Sequence, residues 1–294
     1  MVAILVAMMR AFLLCLFAIP ALTQQAKDMT ADEWTRPFPG FRIIGNLYYV
    51  GTYDLACYLV VTPAGNILIN TGLAGSAPQI RANVEQLGFR FTDIKLLLAT
   101  HAHFDHVSAM AEVKRLTGAK LAATEPEVAL FESGGKSDFR FGEDKSAWFE
   151  PVHVDQTLQD GQRIGLGGTY LTVHLHPGHT KGAASYEFVI AEDRHDYRVL
   201  IANLPSINPG VTLLQNPKYP NILSDYAHTF ASEKDLHPDI FLASHASQFS
   251  LHRKYQPGDT YQPARFVDPA GYRAALDQLQ AAFDAQVKRE RTGH

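Results

Sequence analysis

The sequence predicts an α/β protein in which two β-sheets pack together and helices lie outside them. Strand-rich segments followed by helical periodicity occur in two successive halves of the chain, a pattern typical of packed sheets with outer helices. No proline- or serine-rich linker separates the halves, which indicates a single domain. The 294 residues, 46% hydrophobic and 19% charged, have the composition of an ordinary globular enzyme.

The N-terminus differs from the rest of the chain. Arg10 precedes an apolar run over residues 11–22, and polar residues follow it. This is the pattern of a secretory signal peptide, so we expect cleavage of residues 1–23, a domain at 24–294 and a periplasmic location. A retained membrane anchor is the alternative, but the apolar run is shorter than a bilayer-spanning helix requires.

Charge and cysteine content narrow the function classes. A net charge of −4 gives no basic surface for binding nucleic acid. We expect a small-molecule substrate as the partner, and a monomer as the oligomeric state. Once residues 1–23 are removed, Cys57 is the one cysteine left, so no intramolecular disulfide can form. Cys57 lies in a strand pattern, where a small buried hydrophobe is expected rather than a thiolate nucleophile.

The elements of the first half follow from periodicity and turn residues. Strands are predicted at 41–44 and 47–50 around Gly45-Asn46, and at 58–62 and 66–70 around Pro63-Ala64-Gly65. Helical spacing of Ile80, Val84 and Leu87 ends at Gly88. A strand at 94–100, a helix through Ala109, Val113 and Leu116 that stops at Gly118, and a strand at 119–123 come next.

Periodicity fades over residues 131–155, and the second half then resumes the pattern. The faded segment contains scattered aromatic residues and is predicted to be a long functional loop. Strands are predicted at 163–166, 170–176, 184–190, 197–202 and 240–244. Helices are expected around Ile222, Tyr226 and Phe230, and along a C-terminal apolar stripe that Asp268-Pro269 opens.

The run from His101 to His106 places four metal-binding side chains within six positions: His101, His103, Asp105 and His106. Imidazole and carboxylate groups are the ligands that zinc accepts. The run lies between a predicted strand and a predicted helix, where side chains from one turn can converge. A polar loop that is merely rich in histidine is the alternative, and the structural context favours the metal site.

Two later histidines stand at predicted strand ends and complete the set. His179 follows one strand in a tight Pro-Gly turn, and His245 follows another. Loops at one sheet edge would bring all six ligands together, which suits two zinc ions in one pocket. His101, His103 and His179 form a three-histidine site with an open position, and Asp105, His106 and His245 form the second site. His174 and His176 share a strand face, and one of them is a candidate to contact a metal-binding side chain without binding the metal itself. No role is assigned to six others: His153, His195, His228, His237, His252 and His294.

These residues resemble the metallo-β-lactamase superfamily, and most closely the third subclass of class B β-lactamases. The resemblance rests on the run at 41–52, on Thr100–His106, on Pro177–Gly182, on the segments at 208–210 and 216–222, and on Leu242–His245. It implies a four-layer αββα sandwich with two zinc ions at one edge of the sheets. The segment from Leu200 to Ser206 lacks the carboxylate with which lactone and thioester hydrolases of this superfamily bridge their metals, and it lacks a cysteine.

The resemblance implies hydrolysis of the β-lactam ring of penicillins, cephalosporins and carbapenems, and hence antibiotic resistance. A zinc-bound hydroxide oriented by Asp105 would attack the lactam carbonyl, and Ser206 would bind the substrate carboxylate. Four aromatic residues are candidate groove walls, with core or surface packing as the alternative: Trp34, Phe38, Phe139 and Trp148. The chain departs from the family where Gly182-Ala183-Ala184-Ser185-Tyr186 replaces Gly-Cys-Thr-x-Trp, and in having one serine where two are common near Ser206.

Two other functions remain open at the level of the sequence. A hydrolase of lactones, thioesters or phosphoesters can use the same fold, because a fold does not fix the substrate. A secreted zinc-binding protein without turnover is the second, and the open position of the three-histidine site speaks against it.

Overall fold

Two β-sheets packed face to face form the middle of the structure. The computed structural model describes residues 31–293, so the predicted signal segment lies outside the described residues. The first sheet has seven strands in chain order: β1 (Phe41–Ile44), β2 (Leu47–Tyr49), β3 (Tyr58–Val60), β4 (Asn66–Ile69), β5 (Ile94–Leu98), β6 (Lys120–Thr124) and β7 (Gln156–Leu158). Strands β1 to β4 pair antiparallel, and β4 to β7 pair parallel.

The second sheet has five strands: β8 (Arg163–Leu166), β9 (Thr169–Leu175), β10 (Ala184–Glu192), β11 (His195–Ala202) and β12 (Ile240–Ala243). Their order in space is β12-β11-β10-β9-β8, and each pair is antiparallel except β11 with β12. A two-residue turn joins β10 to β11, and both of its residues, Asp193 and Arg194, have positive φ, as a tight hairpin of this twist requires.

One α-helix precedes the strands, and the others lie between and after them: α1 (Ala31–Thr35), α2 (Ala77–Gln86), α3 (Phe104–Val107), α4 (Met110–Thr117), α5 (Glu125–Ser133), α6 (Ile222–Asp235), α7 (Leu251–Lys254) and α8 (Pro269–Thr292). Helix α4 ends where Gly118 adopts a φ of 68°, a left-handed conformation that glycine reaches without strain. The side chain of Asp268 caps α8 by accepting the backbone N–H of Gly271.

Alternate residues of the central strands face different layers. In β4, Ile67 and Ile69 belong to the core shared with the second sheet, whereas Leu68 packs in the core that includes Ile80 of α2 and Val113 of α4. An apolar run with both faces buried is typical of a strand between two layers. Helices α2 and α4 therefore cover the outer face of the first sheet.

Helices α6 and α8 cover the second sheet. The ring of Tyr272 in α8 lies 5.4 Å from that of Phe241 in β12. Tyr226 and Phe230 of α6 pack against Phe283 of α8 in a separate apolar cluster. The order of layers is thus helices, sheet, sheet, helices, and the predicted four-layer αββα sandwich is confirmed.

Several predicted boundaries shift. The strands predicted to reach Asn70 and Thr100 end at Ile69 and Leu98, because Asn70 has a φ of 63° and its Oδ1 accepts the backbone N–H of Thr100 at 3.0 Å. Helix α5 and strand β7 were not predicted; α5 extends to Ser133, so the long loop begins later than residue 131. Strand β7 has three residues, two of them exposed, and therefore carries little apolar pattern.

Cys57 is 1% exposed and packs in the core beneath α2, and burial raises the pKa of its thiol. The prediction of a buried hydrophobe is confirmed. Within residues 31–293, none of the helices combines the length and the apolar character needed to cross a bilayer.

Candidate metal centre

Three strand ends at one edge of the paired sheets carry the six predicted ligands. Four of these side chains follow β5, one follows β9 and one follows β12: His101, His103, Asp105, His106, His179 and His245. Five are buried and His245 is partly buried. The ring centroids of neighbouring histidines lie 4.5–4.9 Å apart, so the structure brings all six side chains together.

The first set consists of His101, His103 and His179, whose metal-binding atoms lie within 4.8 Å of one another. Burial, with a smaller contribution from neighbouring imidazoles, lowers the pKa of His101 well below its ordinary value and that of His179 to about 3. These rings are neutral at pH 7, the form that binds metals. The Nε2 of His101 is buried without a hydrogen-bond partner. The Nδ1 of His179 donates to the backbone oxygen of Ser206 at 2.8 Å, which leaves its Nε2 free.

His103 is held by a carboxylate from the long loop. Its Nε2 lies 3.5 Å from Oδ2 of Asp138, which leaves Nδ1 for a metal. Burial lowers the pKa of His103, but Asp138 outweighs that effect and raises it. The other oxygen of Asp138 accepts the backbone N–H groups of Arg140 and Phe141 at 2.8 and 2.6 Å. Asp138 therefore fastens the long loop to the metal centre.

Asp105 is the centre of the second set. Its ligand atom lies within 4.8 Å of those of His101 and His106. Oδ2 of Asp105 is 3.1 Å from Nε2 of His106 and 3.4 Å from Nε2 of His245. Burial raises the pKa of Asp105, but the imidazoles outweigh it and hold the pKa well below its ordinary value, so the carboxylate is ionised. One oxygen and two nitrogens thus converge, a ligand set that fits a divalent cation such as zinc.

A second carboxylate supports His245 from behind. Oδ2 of Asp54 lies 2.8 Å from Nδ1 of His245, and Oδ1 accepts the backbone N–H of Ser247 at 2.9 Å. Burial lowers the pKa of His245, but Asp105 and Asp54 together raise it to about 9. A carboxylate on Nδ1 keeps the proton there, so Nε2 is the nitrogen that would give up its proton and bind a metal. Asp54 was not predicted, since 191 positions separate it from His245.

A cavity of about 250 Å³ opens over the two sets. Trp34, Phe104 and Phe141 line it, and the Trp34 ring lies 5.7 Å from His245 and 6.3 Å from Phe104. The Phe141 ring lies 5.1 Å from His103. Phe141 is one of the scattered aromatic residues of the long loop that was predicted to be functional, whereas Phe104, which stands between two ligands in the motif itself, was not predicted. The cavity suits a small molecule with an apolar side.

Of the five residues predicted to contact substrate, Trp34 and Ser206 line this cavity and the other three lie outside it. Phe38 is 4% exposed and belongs to the core between the sheets. Phe139 packs in the cluster of α6 and α8. Trp148 donates its Nε1–H to a backbone oxygen of its own loop at 3.0 Å. For Phe38, Phe139 and Trp148 the structure corrects the groove assignment to packing.

His174 and His176 have partners outside the two ligand sets. Nε2 of His174 lies 3.1 Å from Oε2 of Glu187, and Nδ1 of His176 lies 2.7 Å from Oγ of Ser185. Neither histidine belongs to a compact metal-binding group among the described residues.

The profile of the metallo-beta-lactamase superfamily matches residues 52–190. The class B3 di-zinc metallo-beta-lactamase LRA-12 from an Alaskan soil metagenome is similar at 50% identity and a TM-score of 0.84, over 86% of this chain and 96% of that one. The metallo-beta-lactamase GOB-18 from Elizabethkingia meningoseptica is 48% identical with a TM-score of 0.85, over 88% of this chain and 96% of that one.

Curated relatives match over a shorter stretch. A hydroxyacylglutathione hydrolase of Bartonella tribocorum is 31% identical over 112 residues, 38% of this chain, and the match spans 36% of that relative's length. With its two histidine-rich ligand sets at the edge of an αββα sandwich, the chain belongs to the metallo-beta-lactamase superfamily, and solved structures similar to it are metallo-beta-lactamases, one of them of class B3.

Proposed function

We propose that this protein is a β-lactamase that binds two zinc ions and opens the β-lactam ring of penicillins, cephalosporins and carbapenems. The observation that carries the proposal is the donor set: two groups of ligands share one buried edge beneath an open cavity. Similar structures at 48–50% identity carry the name metallo-beta-lactamase, which supports the same activity.

The residues present fit the metal. His101, His103 and His179 would hold one zinc ion, and Asp105, His106 and His245 would hold the other. Zinc supplies Lewis acidity and lowers the pKa of water to about 7.

Side chains of the cavity would orient the attacking water and bind the substrate. Asp105, ionised where the two sets meet, would orient the attacking water by accepting its hydrogen bond. Ser206 lies on the cavity wall and would donate a hydrogen bond to the substrate carboxylate. Trp34, Phe104 and Phe141 would hold the apolar part of the substrate and exclude bulk water.

The alternative function is hydrolysis of a thioester or lactone, which the hydroxyacylglutathione hydrolase relative favours. The residues after β11 argue against this alternative. Asn203 and Leu204 stand there and line the cavity, and neither offers the carboxylate that such superfamily members use to bridge their metals.

Hydrolysis of a penicillin, a cephalosporin and a carbapenem, measured with zinc and with a chelator, tests the proposal. We expect zinc-dependent turnover of β-lactams and little turnover of S-lactoylglutathione or an acyl-homoserine lactone. Turnover of either of the latter without β-lactam hydrolysis would establish the alternative.

The variant His179→Ala tests the ligand assignment. It should lose one zinc ion and most activity, whereas the matched control His174→Ala, whose imidazole pairs with Glu187, should keep both ions. Two bound zinc ions in His179→Ala would show that another group is the ligand.

We also propose that the mature chain is a periplasmic monomer, released from an N-terminal signal peptide. The apolar run at 11–22 and the polar residues after it support this location. Fractionation of cells that express the full chain, with N-terminal sequencing of the product, tests it.

A further inference from the structure

One buried carboxylate connects the two loops that carry the first ligand set. Glu127, in the first turn of α5, is 3% exposed. Its Oε2 accepts the backbone N–H of Ala102 at 2.6 Å, and its Oε1 accepts the backbone N–H of Gly182 at 3.0 Å. Ala102 lies between the first two histidines of the motif, and Gly182 lies in the loop of His179.

The loop of His179 is held against α5 on both sides of its backbone. While Glu127 accepts the N–H of Gly182, the Oγ1 of Thr124 donates to the carbonyl oxygen of Gly182 at 2.5 Å. A Cβ atom at position 182 would lie 2.6 Å from that Oγ1 and 2.7 Å from Cγ of Glu127. Only a glycine lets the loop approach this closely.

The charge of Glu127 has no ordinary counter-ion. Among residues 31–293, no lysine or arginine forms an ion pair with it. A buried ionised carboxylate is costly without compensation. Burial raises the pKa of Glu127, and the two N–H groups and the amino-terminal end of α5 offset part of that cost. A divalent cation in the neighbouring three-histidine set would offset more, so metal binding and the ionised carboxylate favour each other.

We propose that Glu127 is a positioning residue that sets the spacing between the motif loop and the loop of His179. The three imidazoles are thereby arranged before a metal arrives. This inference rests on the metal-dependent function proposed above.

The test compares zinc binding by metal-stripped wild-type protein and Glu127→Gln, in competition with a chromophoric chelator. The glutamine side chain would place its amide NH₂ group against one of the two backbone N–H groups, so one loop would be released. We expect one zinc ion to bind about 10–100-fold more weakly, the range for loss of a residue that orients metal ligands. The visible absorption of the Co²⁺-substituted protein should change as well. Glu125→Gln is the matched control, because Glu125 is exposed on the same turn of α5.

A second variant, Thr124→Val, removes the other anchor without changing the buried charge and should also weaken one zinc ion. If Glu127→Gln fails to fold, the zinc affinity of Thr124→Val, measured in the same competition with a chelator, tests the inference instead. Wild-type zinc affinity and a wild-type Co²⁺ spectrum in the folded variant would overturn the inference, even if its metal-free form unfolds at a lower temperature. Failure of the wild-type protein to bind zinc would instead refute the proposed function on which the inference rests.

Discussion

Replacement of Asp54 by asparagine should weaken the binding of one of the two proposed zinc ions while leaving the fold intact. Asp54 is 1% exposed, and its two oxygens separately contact Nδ1 of His245 and the N–H of Ser247. Asparagine keeps one oxygen for Ser247. Its NH₂ group is a donor, so it can pair with Nδ1 of His245 only when the ring proton has moved to Nε2. That tautomer has no lone pair on the atom that faces Asp105.

The size of the effect follows from this geometry. Loss of a group that orients a metal ligand costs about 10–100-fold in metal affinity, and the wrong tautomer places Asp54→Asn near the upper limit. A hundredfold loss corresponds to about 2.7 kcal/mol. Stability of the metal-free protein should fall by about 1 kcal/mol, the value of one hydrogen bond whose partner remains.

Zinc titration in competition with a chromophoric chelator measures both affinities. One zinc ion should bind about 100-fold more weakly, and the other should keep its affinity. Asp160→Asn is the control, because its carboxylate accepts one backbone N–H, that of Leu175, at 2.7 Å in an exposed turn, and asparagine can replace it. Two unchanged affinities in Asp54→Asn would refute the argument that this carboxylate sets the tautomer of His245.

Three further predictions concern the cavity wall, pH and the core. Trp34→Ala should raise KM for β-lactams about fivefold, from about 1 kcal/mol of lost aromatic contact, with both metals retained; loss of metal would instead give Trp34 a structural role. Burial raises the pKa of Asp155, but hydrogen bonds from Lys114 and Leu121 outweigh it and lower the pKa. The stability from Asp155 is therefore present above its unfolded pKa near 4 and lost as pH falls through the lower folded pKa. Asp155→Asn should lower the free energy of unfolding by about 1 kcal/mol at pH 7, because the ion pair of Asp155 with Lys114 is partly exposed. If the variant is still less stable than the wild type in strong acid, the ionised carboxylate is not the source of this stability. Phe230 is 1% exposed in the cluster of α6 and α8. Phe230→Ala should lower the free energy of unfolding in denaturant by about 3–5 kcal/mol. A loss below about 1 kcal/mol would mean that neighbouring side chains fill the cavity without strain.

The sequence was sufficient for features that depend on neighbouring positions. The ligands of the motif could be predicted because all four follow one buried strand, β5. Helix α4 could be bounded because Gly118 ends it, and α8 because Asp268 caps it. In each case the cause of the structure lies within a few residues of its effect, so a local pattern contains it.

The groups that orient the ligands were not predicted, because each comes from a distant part of the chain. Asp54, Glu127 and Asp138 lie in a short loop, a helix and a long loop. Each is one acidic residue among many, and its importance comes from burial against a ligand loop, which periodicity does not encode. Three of the four aromatic residues predicted to form the groove were misassigned for the same reason. Phe139 and Phe141, for example, are two positions apart, yet Phe139 packs beside α6 and Phe141 lines the cavity.

The metal centre lies where the two sheets are hydrogen-bonded to each other. Oγ1 of Thr100 and Oγ of Ser244 are 2.8 Å apart, and the hydroxyl of Tyr58 donates to the backbone oxygen of Ala243 at 2.6 Å. The core between the sheets is mainly apolar, and apolar contact is non-directional, so it tolerates small displacements of one sheet along the other. Directional hydrogen bonds from β3 and from the residue pair after β5 to the end of β12 resist such displacements. The second proposed zinc site takes ligands from the motif loop and from the loop after β12, which would have to be placed within about 0.5 Å of the productive geometry. These polar contacts therefore fix the register that the apolar core leaves open.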